Sequence, residues 1–262
     1  MESSMSFAFD LSGKRAFLTG GSRGLGREMA LALAQAGADI ALVARPSDAL
    51  QATAAEISAI GRSVWTFEAD VGSPESAEAV CRRALTGVGS FDILVNNVGG
   101  RRVNVPTEDL DLTTWTQLLD LNLTSTFICS RVLGAAMIAA GKGGRILNVA
   151  SINGLVAGRG IGGRHYETAK AAVIQFTRTL AVDWAKHGIT ANAICPGLFA
   201  TAPNLKWKET NPEIIDGLVA DIPMGTMGDP RDLGALAVYL ASDNARFMTG
   251  ASLIIDGGQT CH

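Results

Sequence analysis

From Arg15 onward the chain alternates short, unbroken apolar runs with stretches whose apolar residues recur at helical spacing, and this alternation leaves few folds open. Arg15-Ala16-Phe17-Leu18-Thr19 reads as a strand that ends in glycines, and Gly26 to Gly37 follows with Met29, Leu31 and Leu33 spaced for one helix face. The pattern returns as strand Ile40 to Ala44 and helix Ala49 to Ile60, then strand Val64 to Phe67 and helix Pro74 to Leu85, then strand Ile93 to Asn96. A long helix is expected from Trp115 to Ala139, strand Arg145 to Val149 after it, and a second long helix from about Tyr166 to Lys186. Strands at Ala191 to Cys195 and Ser252 to Ile255 complete about seven. Strands this apolar must be covered on both faces, and the intervening helices supply the cover, so the expected fold is α/β with a doubly wound, Rossmann-type parallel sheet. In such a sheet ligands bind beyond the carboxyl ends of the strands, which is where the unusual residues fall.

The 262 residues, 47% of them hydrophobic, are enough for one large core, and no linker or internal repeat divides them, so a single domain over 1-262 is expected. A net charge of -3 gives no electrostatic case for nucleic acid or an anionic membrane. Cys81, Cys129, Cys195 and Cys261 are far apart and form no CxxC pair, which argues against a disulfide framework and against a metal site. Reduced thiols, with no export signal and no run of eighteen uncharged apolar residues, fit a cytoplasmic protein.

After the first strand, Gly20, Gly24 and Gly26 in Thr19-Gly20-Gly21-Ser22-Arg23-Gly24-Leu25-Gly26 let the backbone turn tightly against a pyrophosphate at the next helix N-terminus. Ser22 and Leu25 belong to the same turn. At the end of the second strand, where an NAD site presents an acid to the ribose, the chain has Arg45; with Arg23 it offers two guanidiniums to a 2′-phosphate, pointing to NADP(H) over NAD(H). Asp70, beside Val71 after the third strand, either accepts from an adenine amino group or serves the start of the next helix. Asn97 and Gly99, in Asn96-Asn97-Val98-Gly99, line the cofactor or simply form a turn.

Tyr166 and Lys170 stand four apart on one helix face. A free phenol titrates near about 10, and an adjacent ammonium favours its ionised form, so the pair suits proton transfer at neutral pH. These segments, with Ser151 and Pro196-Gly197, occur in the order seen in classical short-chain dehydrogenases/reductases, which the chain resembles from about 13 to 258. The resemblance implies a catalytic tetrad of Asn122, Ser151, Tyr166 and Lys170. In it hydride passes between nicotinamide and substrate carbon, Tyr166 moves the proton, Ser151 orients the oxygen, and Asn122 supports a water relay to Lys170. On its own, Asn122 reads as a poor helix former in mid-helix that opens a backbone site for water, or as a satisfied interior amide. The resemblance also assigns the nicotinamide amide to Pro196, Gly197, Leu198 and Thr201, and implies a homotetramer built through the two long helices and the last strand.

The sequence departs from the family in two places. Val98 replaces the usual alanine, and the interval from Ser151 to Tyr166 is longer than is common. That interval carries Arg159, Arg164 and His165, which suit an anionic or polyhydroxylated small-molecule substrate or else pair with acids at a subunit contact. It is similar to the same region of gluconate 5-dehydrogenases, which implies a keto-sugar acid; a 3-oxoacyl-thioester reductase shares the tetrad, and a non-catalytic NADP-binding regulator would lack the Tyr166/Lys170 pair. The segment 202-227 is expected to be a substrate lid.

Overall fold

The computed structural model describes residues 9–158 and 163–261. Seven strands, β1 Arg15–Thr19, β2 Asp39–Ala44, β3 Val64–Glu68, β4 Ile93–Asn96, β5 Gly144–Val149, β6 Ile189–Pro196 and β7 Ser252–Ile255, form one sheet in the order β3-β2-β1-β4-β5-β6-β7. Every neighbouring pair is parallel, as the Rossmann-type expectation requires. The period of two is visible residue by residue. Ala16 and Leu18 of β1 enter one core and Phe17 the other, and Ile40 and Leu42 against Ala41 and Val43 repeat the division in β2. On the first side the strands are covered by α1 Gly24–Gln35 and α9 Asp232–Ala241; on the second by α3 Pro74–Val88 and α5 Ser125–Ala140.

The helix starts are set by local chemistry. Ser47 caps α2 Asp48–Ala59 at Leu50 N–H, and Ser73 caps α3 at Ser76 N–H with Pro74 at the first helical position. Asp111 caps α4 Leu112–Leu119, so the first long helix begins three residues before the expected Trp115. It is also not uniform. A π-helical turn at Asp120–Thr124 separates α4 from α5 and contains Asn122. From Leu112 to Ala140 these helices run 29 residues, and their most apolar window of eighteen reaches a mean hydropathy of 1.5, long and apolar enough to cross a membrane. Leu118, Ile128, Cys129, Leu133 and Met137 are nevertheless buried within the protein, so this apolarity is that of a core element.

The second long helix, α6, spans Arg164–Trp184, and the expected Lys186 falls in a short 3₁₀ turn beyond it. Segment 202-227 folds into α7 Ala202–Thr210 and α8 Pro212–Ala220, each opened by a proline in its first turn. The chain runs outward from β1 to β3 and then returns to place β4 on the other side of β1. The carboxyl ends of β1 and β4 therefore diverge into a crevice, the switch point at which such sheets bind ligands.

Candidate active site

A cleft of about 960 Å³ opens at that crevice, within the size range of small-molecule and cofactor sites. Its centre is the turn from β1 into α1. A side chain at Gly26 would place its Cβ 2.2 Å from the Gly20 carbonyl and 2.4 Å from Asn97 Nδ2, so only glycine lets α1 start this close to the strand end. Asn97 Nδ2 donates to the carbonyls of Thr19 at 3.1 Å and Gly20 at 3.2 Å, and its own N–H donates to Thr19 Oγ1 at 3.0 Å. Asn97 thus ties the turn after β4 to the turn after β1 while also facing the cleft. Arg23 occupies the α1 N-cap without a side-chain cap bond, and no acid lies in the first turn. The N–H groups at that helix end face the cleft, which Ser22, Gly24 and Leu25 also line, and this arrangement fits a pyrophosphate.

Arg23 and Arg45 are exposed on the cleft rim, and neither meets a carboxylate among the described residues. Asp70 lies on the wall beside buried Val71; its Oδ1 accepts from Gly72 N–H at 2.9 Å, and Ser73 rather than Asp70 caps α3. Asp70 therefore shapes the cleft-side turn and is not the helix cap.

At the other end of the cleft α6 presents Tyr166 and Lys170 from successive turns, with Lys170 Nζ 5.8 Å from the Tyr166 ring centroid. Lys170 is 3% exposed and donates to the Val149 carbonyl at 2.8 Å. Burial lowers its pKa from 10.5 to about 8, against the opposing influence of Cys195. Burial likewise pushes the Tyr166 phenol up, while its hydrogen bond with Ser151 and the charge of Arg101 pull it back. Ser151 leaves β5 and accepts from Asn153 N–H at 3.1 Å, a contact that aims its hydroxyl.

Asn122 is fully buried behind the cleft wall. Its Oδ1 accepts from Gly100 N–H at 2.8 Å, and its Nδ2 donates to the carbonyls of Gly100 at 3.1 Å and Leu118 at 2.9 Å. A Cβ on Gly99 would lie 2.8 Å from both Asn122 Oδ1 and Lys170 Nζ, so these two side chains converge on that glycine. Pro196, Gly197 and Thr201 line the wall, whereas Leu198 is not part of the lining; its carbonyl accepts from Gly228 N–H.

Ser151 and Tyr166 line the cleft, but Arg164 and His165, also expected to meet substrate, are placed differently. Arg164 Nη1 lies 2.8 Å from both Glu167 oxygens and donates to the Gly158 carbonyl, so it pairs within the chain and does not line the cleft. His165 is fully buried with Nε2 2.7 Å from the Arg101 carbonyl. Arg159 lies outside the described residues. In their place stand two arginines that sequence reasoning missed. The Arg101 guanidinium lies 5.1 Å from the Tyr166 ring centroid. Arg102 lines the cleft beside Gln117 and Leu121, and among the described residues it alone has a positive φ (62°) without being glycine. Their adjacency to Asn96-Asn97-Val98-Gly99 was the available signal.

Residues 20–260 match a family model described as enoyl-(acyl carrier protein) reductase. Galactitol 2-dehydrogenase of Rhizobium johnstonii is 38% identical over 254 residues, covering 97% of each chain. 2-Dehydro-3-deoxy-D-gluconate 5-dehydrogenase of Escherichia coli is 37% identical over 256 residues, covering 96% of this chain and 97% of the relative. L-sorbose reductase from Gluconobacter frateurii, solved with NADPH and L-sorbose, superposes with a TM-score of 0.90 at 30% identity, covering 97% of this chain and 98% of the other. Likeness of this extent, over a crevice that unites a pyrophosphate-shaped turn with a half-buried Tyr166 and a buried Lys170, makes the chain a member of the classical short-chain dehydrogenases/reductases, oxidoreductases that interconvert alcohols and ketones.

Proposed function

We propose that this oxidoreductase uses NADP(H) in preference to NAD(H) and acts on a secondary alcohol or ketone of a polyol or keto-sugar acid. The observation that carries the reading is the polarity of the cleft: two exposed guanidiniums without carboxylate partners at one end, and the Ser151-Tyr166-Lys170 group at the other. Arg23 and Arg45 would hold a 2′-phosphate, the α1 N-terminus the pyrophosphate, Asp70 and Val71 the adenine side, and Pro196, Gly197 and Thr201 the nicotinamide amide. When bound, the nicotinamide supplies or accepts a hydride. Ser151 holds the substrate oxygen against Tyr166, whose Oη gives up the proton in reduction and takes it back in oxidation. Lys170, still largely protonated at pH 7, favours the phenolate, and Asn122 holds Gly100 through both its amide groups.

With Arg164 paired to Glu167, Arg102 is the cationic side chain on the cleft wall suited to a substrate carboxylate or hydroxyl. Polyol and keto-sugar relatives support this substrate class. Helices α7 and α8 serve as the substrate cover. No side chain of α7 is buried and its Leu205 is exposed, whereas Ile215 anchors α8, so α7 is the loosely held part of the cover. We also propose a cytoplasmic homotetramer, since the long helices leave Phe127 and Val182 exposed and β7 leaves Ile254 exposed. The description of the family model favours one second reading, an acyl-thioester reductase.

The test is oxidation of NADPH and of NADH with a panel of keto-sugar acids, ketoses, simple ketones and an acetoacetyl thioester, with Tyr166→Phe as control. Turnover of the sugar derivatives with NADPH, abolished in the control, is expected. Turnover of the thioester alone, or tighter use of NADH, would overturn the substrate or the cofactor assignment respectively.

A further inference from the structure

Glu167 follows the catalytic tyrosine and is only 8% exposed, yet no step described above uses it. Its carboxylate gathers three stretches of chain. Arg164, one turn earlier, reaches both oxygens at 2.8 Å; Gly158 N–H, from the loop after β5, donates to Oε1 at 3.1 Å; Arg101 Nη2, from the loop after β4, lies 3.6 Å from Oε1. Arg101 is also held through Nη1, which donates to the Gly163 carbonyl at 3.1 Å, and through its own carbonyl against His165 Nε2. The guanidinium fixed this way is the one that stands over the Tyr166 ring.

We propose that Glu167 is a positioning residue for proton transfer: by clamping Arg101 over Tyr166 it fixes a cation, in addition to Lys170, that favours the phenolate. A buried carboxylate is strongly destabilising unless paired, and this one is paired with two guanidiniums, so the cluster as a whole keeps a positive charge beside the phenol. Among the described residues, the charged and titratable groups around Tyr166 are Lys170, Arg164, His165 and Glu167 on its own helix, Arg101 from the loop after β4, and Arg102 farther along the cleft wall. Cys195 on β6 acts on Lys170 rather than on the phenol. The Glu167 carboxylate meets Arg101, and Arg101 stands over the phenol ring, so Glu167 works through the arginine it holds. The proposal rests on Tyr166 being the proton-transfer group, and not on the identity of the substrate or the cofactor.

The chain has two tyrosines, Tyr166 and Tyr239, which allows a direct test without turnover. In a Tyr239→Phe background the near-ultraviolet absorbance of phenolate reports Tyr166 alone, and circular dichroism over the same pH range reports the fold. Arg101→Met is expected to raise the phenol midpoint by about one pH unit, and Glu167→Gln to raise it in the same direction. The Arg101→Met/Glu167→Gln double variant should match Arg101→Met, because the second change has nothing left to act through. Arg164→Met disturbs the same carboxylate but spares the Arg101 contact, and should leave the midpoint in place. If Glu167→Gln fails to fold, Glu167→Asp, with the charge drawn back by one methylene, takes its place with the same expected direction. An unchanged or lowered midpoint on altering Glu167, additive shifts in the double variant, or an equal shift in Arg164→Met would each overturn the proposal.

Discussion

Replacing Lys170 with methionine should stabilise the protein at neutral pH while removing its activity. In the unfolded chain the ammonium titrates near 10.5, and burial brings it to about 8 in the native state. Below pH 8 both states carry the charge, and the native state bears the full penalty of holding it out of water. The gap between 10.5 and about 8 spans about 2.5 pH units, and at roughly 1.4 kcal/mol each this amounts to about 3 kcal/mol. The substitution also removes the hydrogen bond to the Val149 carbonyl, worth about 1 kcal/mol. Lys170→Met should therefore be more stable than the wild type by about 2 kcal/mol at pH 7. As pH rises from 8 to 10.5 the native protein has already released the proton that the unfolded chain still binds, so wild-type stability climbs and the advantage of the variant disappears. Urea unfolding at pH 7 and again near pH 10, with turnover measured in parallel, tests this, and turnover should fall roughly a hundredfold or more. A variant no more stable than the wild type at pH 7, or a difference that does not change with pH, would refute the argument.

Gly99→Ala should fold but lose kcat by about tenfold or more, since its Cβ would displace Asn122 Oδ1 or Lys170 Nζ from 2.8 Å; steady-state kinetics beside a thermal melt separates the two effects. Gly26→Ala would set its Cβ 2.2 Å from a main-chain carbonyl that cannot move aside, and should weaken nucleotide binding in a fluorescence titration for both NADPH and NADH. Arg45→Ala and Arg23→Ala should each weaken NADPH by about tenfold and leave NADH unchanged in the same titration. Arg102→Ala should raise KM for keto-sugar acids by about tenfold with neutral ketones unaffected, and Arg164→Ala should leave both unchanged.

The sheet was legible because each strand is a continuous apolar run punctuated by turn residues, and the pairs at the glycine turn and at Tyr166/Lys170 were legible because their spacing is local. The π-turn was not. It adds a residue to one helical turn without interrupting apolarity, so Trp115 to Ala139 read as a single helix when Asn122 marked a break. The loop after β5 misled in a different way. Arg164 looked free for substrate, although Glu167 three residues later on the same helix is a natural partner, and the i,i+3 spacing was there to be read. Arg101 reaches Tyr166 only because β4 and β5 are neighbours in the sheet, a relation between residues sixty-five apart that no local pattern displays. In segment 202-227, Pro203 and Pro212 signalled two helix starts that the absence of a strong apolar period concealed.

The lock that Asn97 makes between the turns after β1 and β4 divides the cleft into parts that can and cannot change independently. Asn97, Gly20 and Gly26 occupy one another's space, so a new residue at any of them demands compensation at the others. Arg23 and Arg45 enter no such bargain, being exposed on the rim without a carboxylate to abandon among the described residues. On the proposed reading of these two arginines, the choice of nicotinamide cofactor rests on single substitutions that neither the turn nor the Tyr166/Lys170 pair would register.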